Sequence, residues 1–108
     1  MNTLLQVDFD YAGPFGEEMA GMLASLAESI NSEPGIIWKI WTESEQDQLG
    51  GGIYLFEDKT SANAYLAMHT VRLKEMGVPE VRGQLFDINA SLSGINKGPI
   101  NKNPINKA

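Results

Sequence analysis

Glu33-Pro34-Gly35-Ile36-Ile37-Trp38-Lys39-Ile40-Trp41-Thr42-Glu43 decides how the rest of this chain is read. A Pro-Gly turn opens it, and the β-branched and aromatic run that follows has the composition of a strand. Side chains alternate across a strand, so strict alternation groups Ile36, Trp38 and Ile40 on one side and Ile37, Lys39 and Trp41 on the other. Each face then carries a tryptophan. We expect one face to lie under the chain's own helices and the other to be closed by a partner subunit and a small apolar ligand.

Working outward, Thr3 to Tyr11 alternates Leu5, Val7, Phe9 and Tyr11 with Leu4, Gln6, Asp8 and Asp10, which predicts a first strand. Gly13-Pro14 stops it. Phe15, Met19, Met22, Leu23, Leu26 and Ile30 then recur at helical spacing, with Glu17 and Glu18 placed to favour the dipole of the opening turn. After the quoted strand, Glu45-Gln46-Asp47-Gln48 reads as a polar turn, and Gly50-Gly51-Gly52 leads into a third strand over Ile53–Glu57. No Gly-Lys-Ser/Thr follows these glycines, so they predict a bulge or a close approach of two backbones, not a phosphate loop.

Asp58 or Ser61 can cap a second helix, whose inward stripe is Ala62, Tyr65, Leu66, His69, Leu73 and Met76. Gly77 sits where a left-handed C-terminal cap belongs. Val81 to Ile88 predicts the fourth strand. The order is β-α-β-β-α-β, an α+β, ferredoxin-like arrangement with two helices on one face of a four-stranded antiparallel sheet. Residues 1–90 form this domain. Residues 91–108 repeat Ile-Asn-Lys in pentads, predicting an extended basic tail, disordered or resting on the acidic body or a partner chain.

Every predicted strand places a sizeable apolar group on each side: Leu4 and Val7, Trp38 and Trp41, Tyr54 and Leu55, Phe86 and Leu85. At about 1.5–3 kcal/mol per buried side chain, a wet second face would forfeit on the order of 10 kcal/mol, comparable to a domain's net stability. A homodimer that packs sheet on sheet recovers it.

The bulk numbers narrow the function classes. With 108 residues, 8 Lys+Arg against 14 Asp+Glu and a net charge of -6, the chain repels phosphate backbones, and we expect no nucleic-acid partner. No apolar run reaches the length of a membrane span and no signal peptide is visible, so we expect a cytoplasmic protein without membrane attachment. Asn89-Ala90-Ser91 matches a glycosylation acceptor that has no meaning without a secretory route. Cysteine is absent and His69 is the sole histidine, which removes thiolate chemistry and leaves no histidine-rich metal site.

The element order, together with the quoted strand extended to Glu45, Gly51-Gly52-Ile53-Tyr54-Leu55-Phe56, Ala64-Tyr65-Leu66-Ala67-Met68-His69-Thr70-Val71-Arg72-Leu73-Lys74, Gly13-Pro14-Phe15-Gly16 and Leu26-Ala27-Glu28-Ser29-Ile30-Asn31, resembles the YdhR-type monooxygenase family. The resemblance spans roughly residues 1 to 96, and the repeats beyond depart from it. It implies a dimeric α+β barrel with a ligand cavity in each protomer, related to the antibiotic-biosynthesis and haem-degrading monooxygenases.

Such an enzyme acts without a cofactor on a substrate that becomes electron-rich on deprotonation. It needs an apolar cavity, aromatic walls and a group that takes or stabilises one proton. On this reading His69, Trp41 and Tyr54 are the candidate catalytic residues, and Trp38, Arg72 and Phe86 the candidate substrate-binding residues. His69 serves as a general base, as an axial ligand if haem binds, or as a hydrogen-bonded histidine at the core edge. Trp41 is preferred for the cavity because its neighbour Lys39 suits a core poorly, which leaves Trp38 under the helices. The expected substrate is a small aromatic or polycyclic molecule. The alternatives are a non-catalytic module that binds or senses an apolar metabolite, and a haem-degrading monooxygenase.

Overall fold

The alternating segments become strands and the 3.6-residue stripes become helices, in the order β1 (Thr3–Asp10), α1 (Gly16–Ile30), β2 (Ile36–Ser44), β3 (Leu49–Phe56), α2 (Lys59–Glu75), β4 (Arg82–Asp87) and α3 (Ala90–Ile95). This is a computed structural model, and it describes residues 2–106. The four strands form one antiparallel sheet in the order β2-β3-β1-β4. The expected α+β, ferredoxin-like sheet is present, with a third short helix besides the two anticipated.

Partners across the ladder share a face, so the register sorts every side chain. One face carries the rows Ile36–Phe56–Thr3–Asp87, Lys39–Tyr54–Leu5–Leu85 and Trp41–Gly52–Val7–Gly83. Leu5, Val7, Phe9, Tyr54 and Phe56 are buried here with Ala62, Tyr65 and Leu73 of α2 and Ile30 of α1, and this is the hydrophobic core. The opposite face carries Trp38–Leu55–Leu4–Phe86, Ile40–Ile53–Gln6–Gln84 and Thr42–Gly51–Asp8–Arg82.

Strict alternation fails at one point. A register shift between Ile36 and Trp38 makes room for the extra residue Ile37, so Ile36 shares its face with Lys39 and Trp41. Trp41 therefore lies on the helix side and Trp38 on the open side, the reverse of the expected assignment. The three glycines give the expected close approach of two backbones at Gly51, where an added Cβ would collide with the Val7 carbonyl, but the strand starts earlier than expected. They lie inside β3, which begins at Leu49, and pair with Val7, Asp8 and Phe9 of β1.

The helices are fixed by different means. Asp58 accepts from the Ser61 N–H at 2.7 Å to cap α2, and Gly77, at φ +98°, closes its far end, where Val78 N–H bonds the Leu73 carbonyl. Phe15 gives α1 no side-chain cap. Instead Glu43 of β2 reaches across, its Oε1 accepting from the Gly16 N–H at 2.9 Å. Under α2 the sheet is bare at Gly83, where an added Cβ would stand 2.5 Å from Leu66 Cδ1. That missing side chain lets α2 lie close on β4.

The chain after β4 is not simply extended. Asn89 accepts from the Leu92 N–H at 3.0 Å and caps α3. The tail beyond it is tied to the body. Trp38 Nε1 donates to the Pro99 carbonyl, Asn2 to the Ile100 carbonyl, and Ile105 N–H to the Ile36 carbonyl. Asn106 donates to the carbonyls of Asn31 and Glu33. Lys107 and Ala108, the end of the last repeat, lie outside the described residues.

This tail revises the argument from a uniformly apolar second face. Only the Trp38–Leu55–Leu4–Phe86 row is apolar throughout. Leu55 is fully buried, with the tail bonded to Trp38 beside it, while Phe86 remains 44% and Ile40 54% exposed.

Candidate functional site

A cavity of about 340 Å³ lies between α1, α2 and the helix-side face of the sheet. The loose seat of α1 creates it. Met19, Met22, Leu23 and Leu26 of α1 form one wall, and Phe9, Trp41 and Tyr54 of the sheet form the other. His69 and Leu73 of α2 close a third side, and Met76, Gly77 and Val78 just beyond it follow. The lining is mostly apolar, with flexible methionines able to repack.

Of the residues singled out in the sequence, Trp41, Tyr54 and His69 meet at this cavity. Arg72 stands behind His69, one turn further along α2, with its Nη2 2.9 Å from His69 Nδ1 and 3.2 Å from the Tyr65 hydroxyl. Tyr65 in turn donates to the Tyr54 hydroxyl in a long contact of 3.5 Å. Trp38 and Phe86 lie on the opposite face of the sheet, away from this cavity. The bulge is the reason for Trp38. Phe86 follows from its pairing with Leu4, a neighbour on the open side.

Arginine can only donate, so His69 Nδ1 must accept and the ring proton must sit on Nε2. Burial, together with the positive charges of Arg72 and Lys39, lowers the His69 pKa to about 3. At neutral pH the imidazole is uncharged and serves as a hydrogen-bond donor. Burial raises the Tyr54 and Tyr65 phenols above their usual range, so both stay protonated.

Lys39 was not among the expected site residues. Its stem crosses the space left open by Gly52, where an added Cβ would be 2.7 Å from Lys39 Cε. Its Nζ lies 3.4 Å from the centre of the Trp41 ring and 4.6 Å from that of Tyr54. Burial, and secondarily Arg72, lowers its pKa to about 7. Arg72 Nε is buried without a hydrogen-bond acceptor among the described residues. This corner of the cavity is rich in donors and poor in acceptors.

No group of three His, Asp or Glu side chains that could hold a metal occurs among the described residues. No helix among them is long and apolar enough to cross a membrane.

The family described as "Putative mono-oxygenase ydhR" matches residues 4–99. The chain belongs to this family. Its fold is similar to that of SnoaB, a cofactor-independent oxygenase from Streptomyces nogalater solved as a point mutant. That match has a TM-score of 0.58 and 18% identity, covering 82% of this chain and 93% of the other. A protein of unknown function from Nitrosomonas europaea, NE2512, aligns with a TM-score of 0.62 and 16% identity over 82% of this chain and 90% of its own. The structural-genomics protein YJCS gives 0.57 and 15% over 82% and 98%. At these identities the likeness is one of fold. A search of curated proteins finds no significant match. The tail bonds made by Ile105 and Asn106 fall beyond the family match.

Proposed function

We propose that this ydhR-family chain is a cofactor-independent monooxygenase that oxidises an aromatic or polycyclic hydroxylated molecule, working as a cytoplasmic homodimer. The observation that carries this reading is the apolar cavity walled by Trp41, Tyr54 and methionines with the donor-rich His69–Arg72 corner on one side. Dioxygen in its triplet ground state reacts slowly with closed-shell molecules, and an electron-rich phenolate or enolate removes that barrier. The substrate carbon takes one oxygen atom, the other leaves as water with two substrate hydrogens, and the substrate supplies the electrons. The protein's part is to exclude water, to orient the ring system against Trp41 and Tyr54, and to donate the His69 Nε2–H to the substrate oxygen.

The membership of the family and the fold shared with a cofactor-independent oxygenase support the same reading. Exposed Phe86 and Ile40 on the sheet, with Leu92 and Ile95 of α3, supply apolar surface for a second copy. The test is oxygen uptake with an anthrone and hydroxynaphthalene panel. Uptake that falls about tenfold or more in His69→Ala and in Trp41→Phe is the expected result. Tight binding of the panel with no uptake would replace the enzyme by a binding module.

A further inference from the structure

We propose that Lys39 is the proton acceptor of this cavity: its neutral amine takes the proton of an acidic phenol or enol, and the ammonium so formed holds the oxyanion beside Trp41 and Tyr54. In this step the ligand O–H bond breaks, an N–H bond forms on Nζ, and no electron changes owner. The ligand class is thereby narrowed to hydroxyaromatic or enolic acids. The inference rests on the cavity being the substrate site, as proposed above.

Three observations converge on Lys39. Its amine lines the cavity, and Gly52 leaves the space through which its stem reaches there. It rests on two aromatic faces, at 3.4 and 4.6 Å, a setting that stabilises the ammonium without a counter-charge. Among the described residues, no carboxylate forms an ion pair with it. Facing it are the protonated phenol of Tyr54 from β3 and the neutral ring of His69 and guanidinium of Arg72 from α2. Glu43 on its own strand is engaged with the Gly16 N–H. Asp10 and Tyr11 of the β1 end contribute to the lining, and Glu28 of α1 shares a neighbouring groove with Lys39. A pKa near 7 matches proton exchange with an acidic hydroxyl at neutral pH.

His69 is the less suitable base. Its Nδ1 lone pair is committed to Arg72, and its Nε2 already carries a proton. Proton transfer keeps the net charge of the corner at the single positive charge of Arg72. The oxyanion balances the ammonium formed with it, and Arg72 remains as a second positive group behind His69.

The test uses the full chain and two probes of one shape, 4-nitro-1-naphthol and its methyl ether, followed by the visible band that marks ionisation. Wild-type protein should bind the naphthol as its anion, with affinity peaking near neutral pH and falling about tenfold per pH unit well to either side. Lys39→Met should weaken the naphthol tenfold or more and leave the ether unchanged. Lys39→Arg, a permanent cation that cannot accept the proton, should lose the alkaline decline. Equal effects of Lys39→Met on both probes, a naphthol bound only in its neutral form, or an unchanged alkaline decline in Lys39→Arg would each overturn the proposal. Oxygen uptake separates it from the enzymatic reading. Anion binding without uptake leaves Lys39 in place and removes the monooxygenase. Uptake undiminished in Lys39→Met does the opposite.

Discussion

The two faces of the sheet use the same strands and nearly the same proportion of large apolar residues, yet they end differently. The helix side buries Leu5, Val7, Tyr54 and Phe56 almost completely, then opens into a cavity where Lys39, Trp41 and Gly52 interrupt the packing. The open side runs from the apolar row Trp38–Leu55–Leu4–Phe86 to the charged cluster of Asp8, Asp10 and Arg82, and a strap from the same chain is tied down at its apolar end. Amount of apolar surface does not distinguish a core from a site. What distinguishes them is whether the row above can close, and here α1 stands off where α2 does not.

The largest contrast between the faces should appear in core truncations. Phe56→Ala, at a fully buried position, should cost about 3–5 kcal/mol, whereas Phe86→Ala on the half-exposed row should cost less than about 1 kcal/mol in dilute solution, both read by urea unfolding. A Phe86→Ala penalty that grows with protein concentration would show that a second copy covers that row. Next comes Gly83→Ala, which sets a methyl against Leu66 and should cost about 1–3 kcal/mol by overpacking. If it costs nothing, α2 is less firmly seated than its geometry indicates.

The two basic groups whose pKa is lowered, Lys39 and His69, give a contrast in pH. Lys39 titrates lower in the folded chain than unfolded, so between about 7 and its ordinary 10.5 the unfolded state binds more protons and stability rises with pH. His69 acts in the same direction between about 3 and 6.5. Lys39→Met should therefore raise the melting temperature most at or below pH 7, with the gain shrinking toward pH 10.5. A gain independent of pH would mean the amine is not buried as described. The smallest effect is expected at the strap. Trp38→Phe deletes the bond to Pro99 and should cost about 0.5–1.5 kcal/mol, read most directly as faster amide exchange at Ile105.

Much of the fold was legible because period-2 and period-3.6 patterns are read from side chains alone, and β1, α1, α2 and β4 fall within a residue or two of expectation. The site was less legible. One inserted residue, Ile37, reverses the parity of β2, and no sequence pattern marks where a bulge falls. Trp41 reaches the cavity even so, but from the helix side. Lys39 was read as a sign of a wetter face, when the two rings and the glycine beside it make a place for an amine under a helix. Asn89, read in the sequence only as part of a glycosylation acceptor, caps α3, and a six-residue helix in a Pro- and Asn-rich stretch has too few apolar positions to declare itself. The proposed homodimer and the proposed site roles concern arrangements between chains and ligands, which one sequence does not encode pairwise.

The contact of Leu66 with Gly83 has a consequence for motion. One helix is wedged against bare backbone and cannot tilt without unseating a core that includes Tyr65 and Leu73. The other touches the sheet largely through long thioether and leucine side chains over empty space. Any breathing of the cavity wall is therefore expected to fall on α1, whose first turn is tied to β2 by the carboxylate of Glu43.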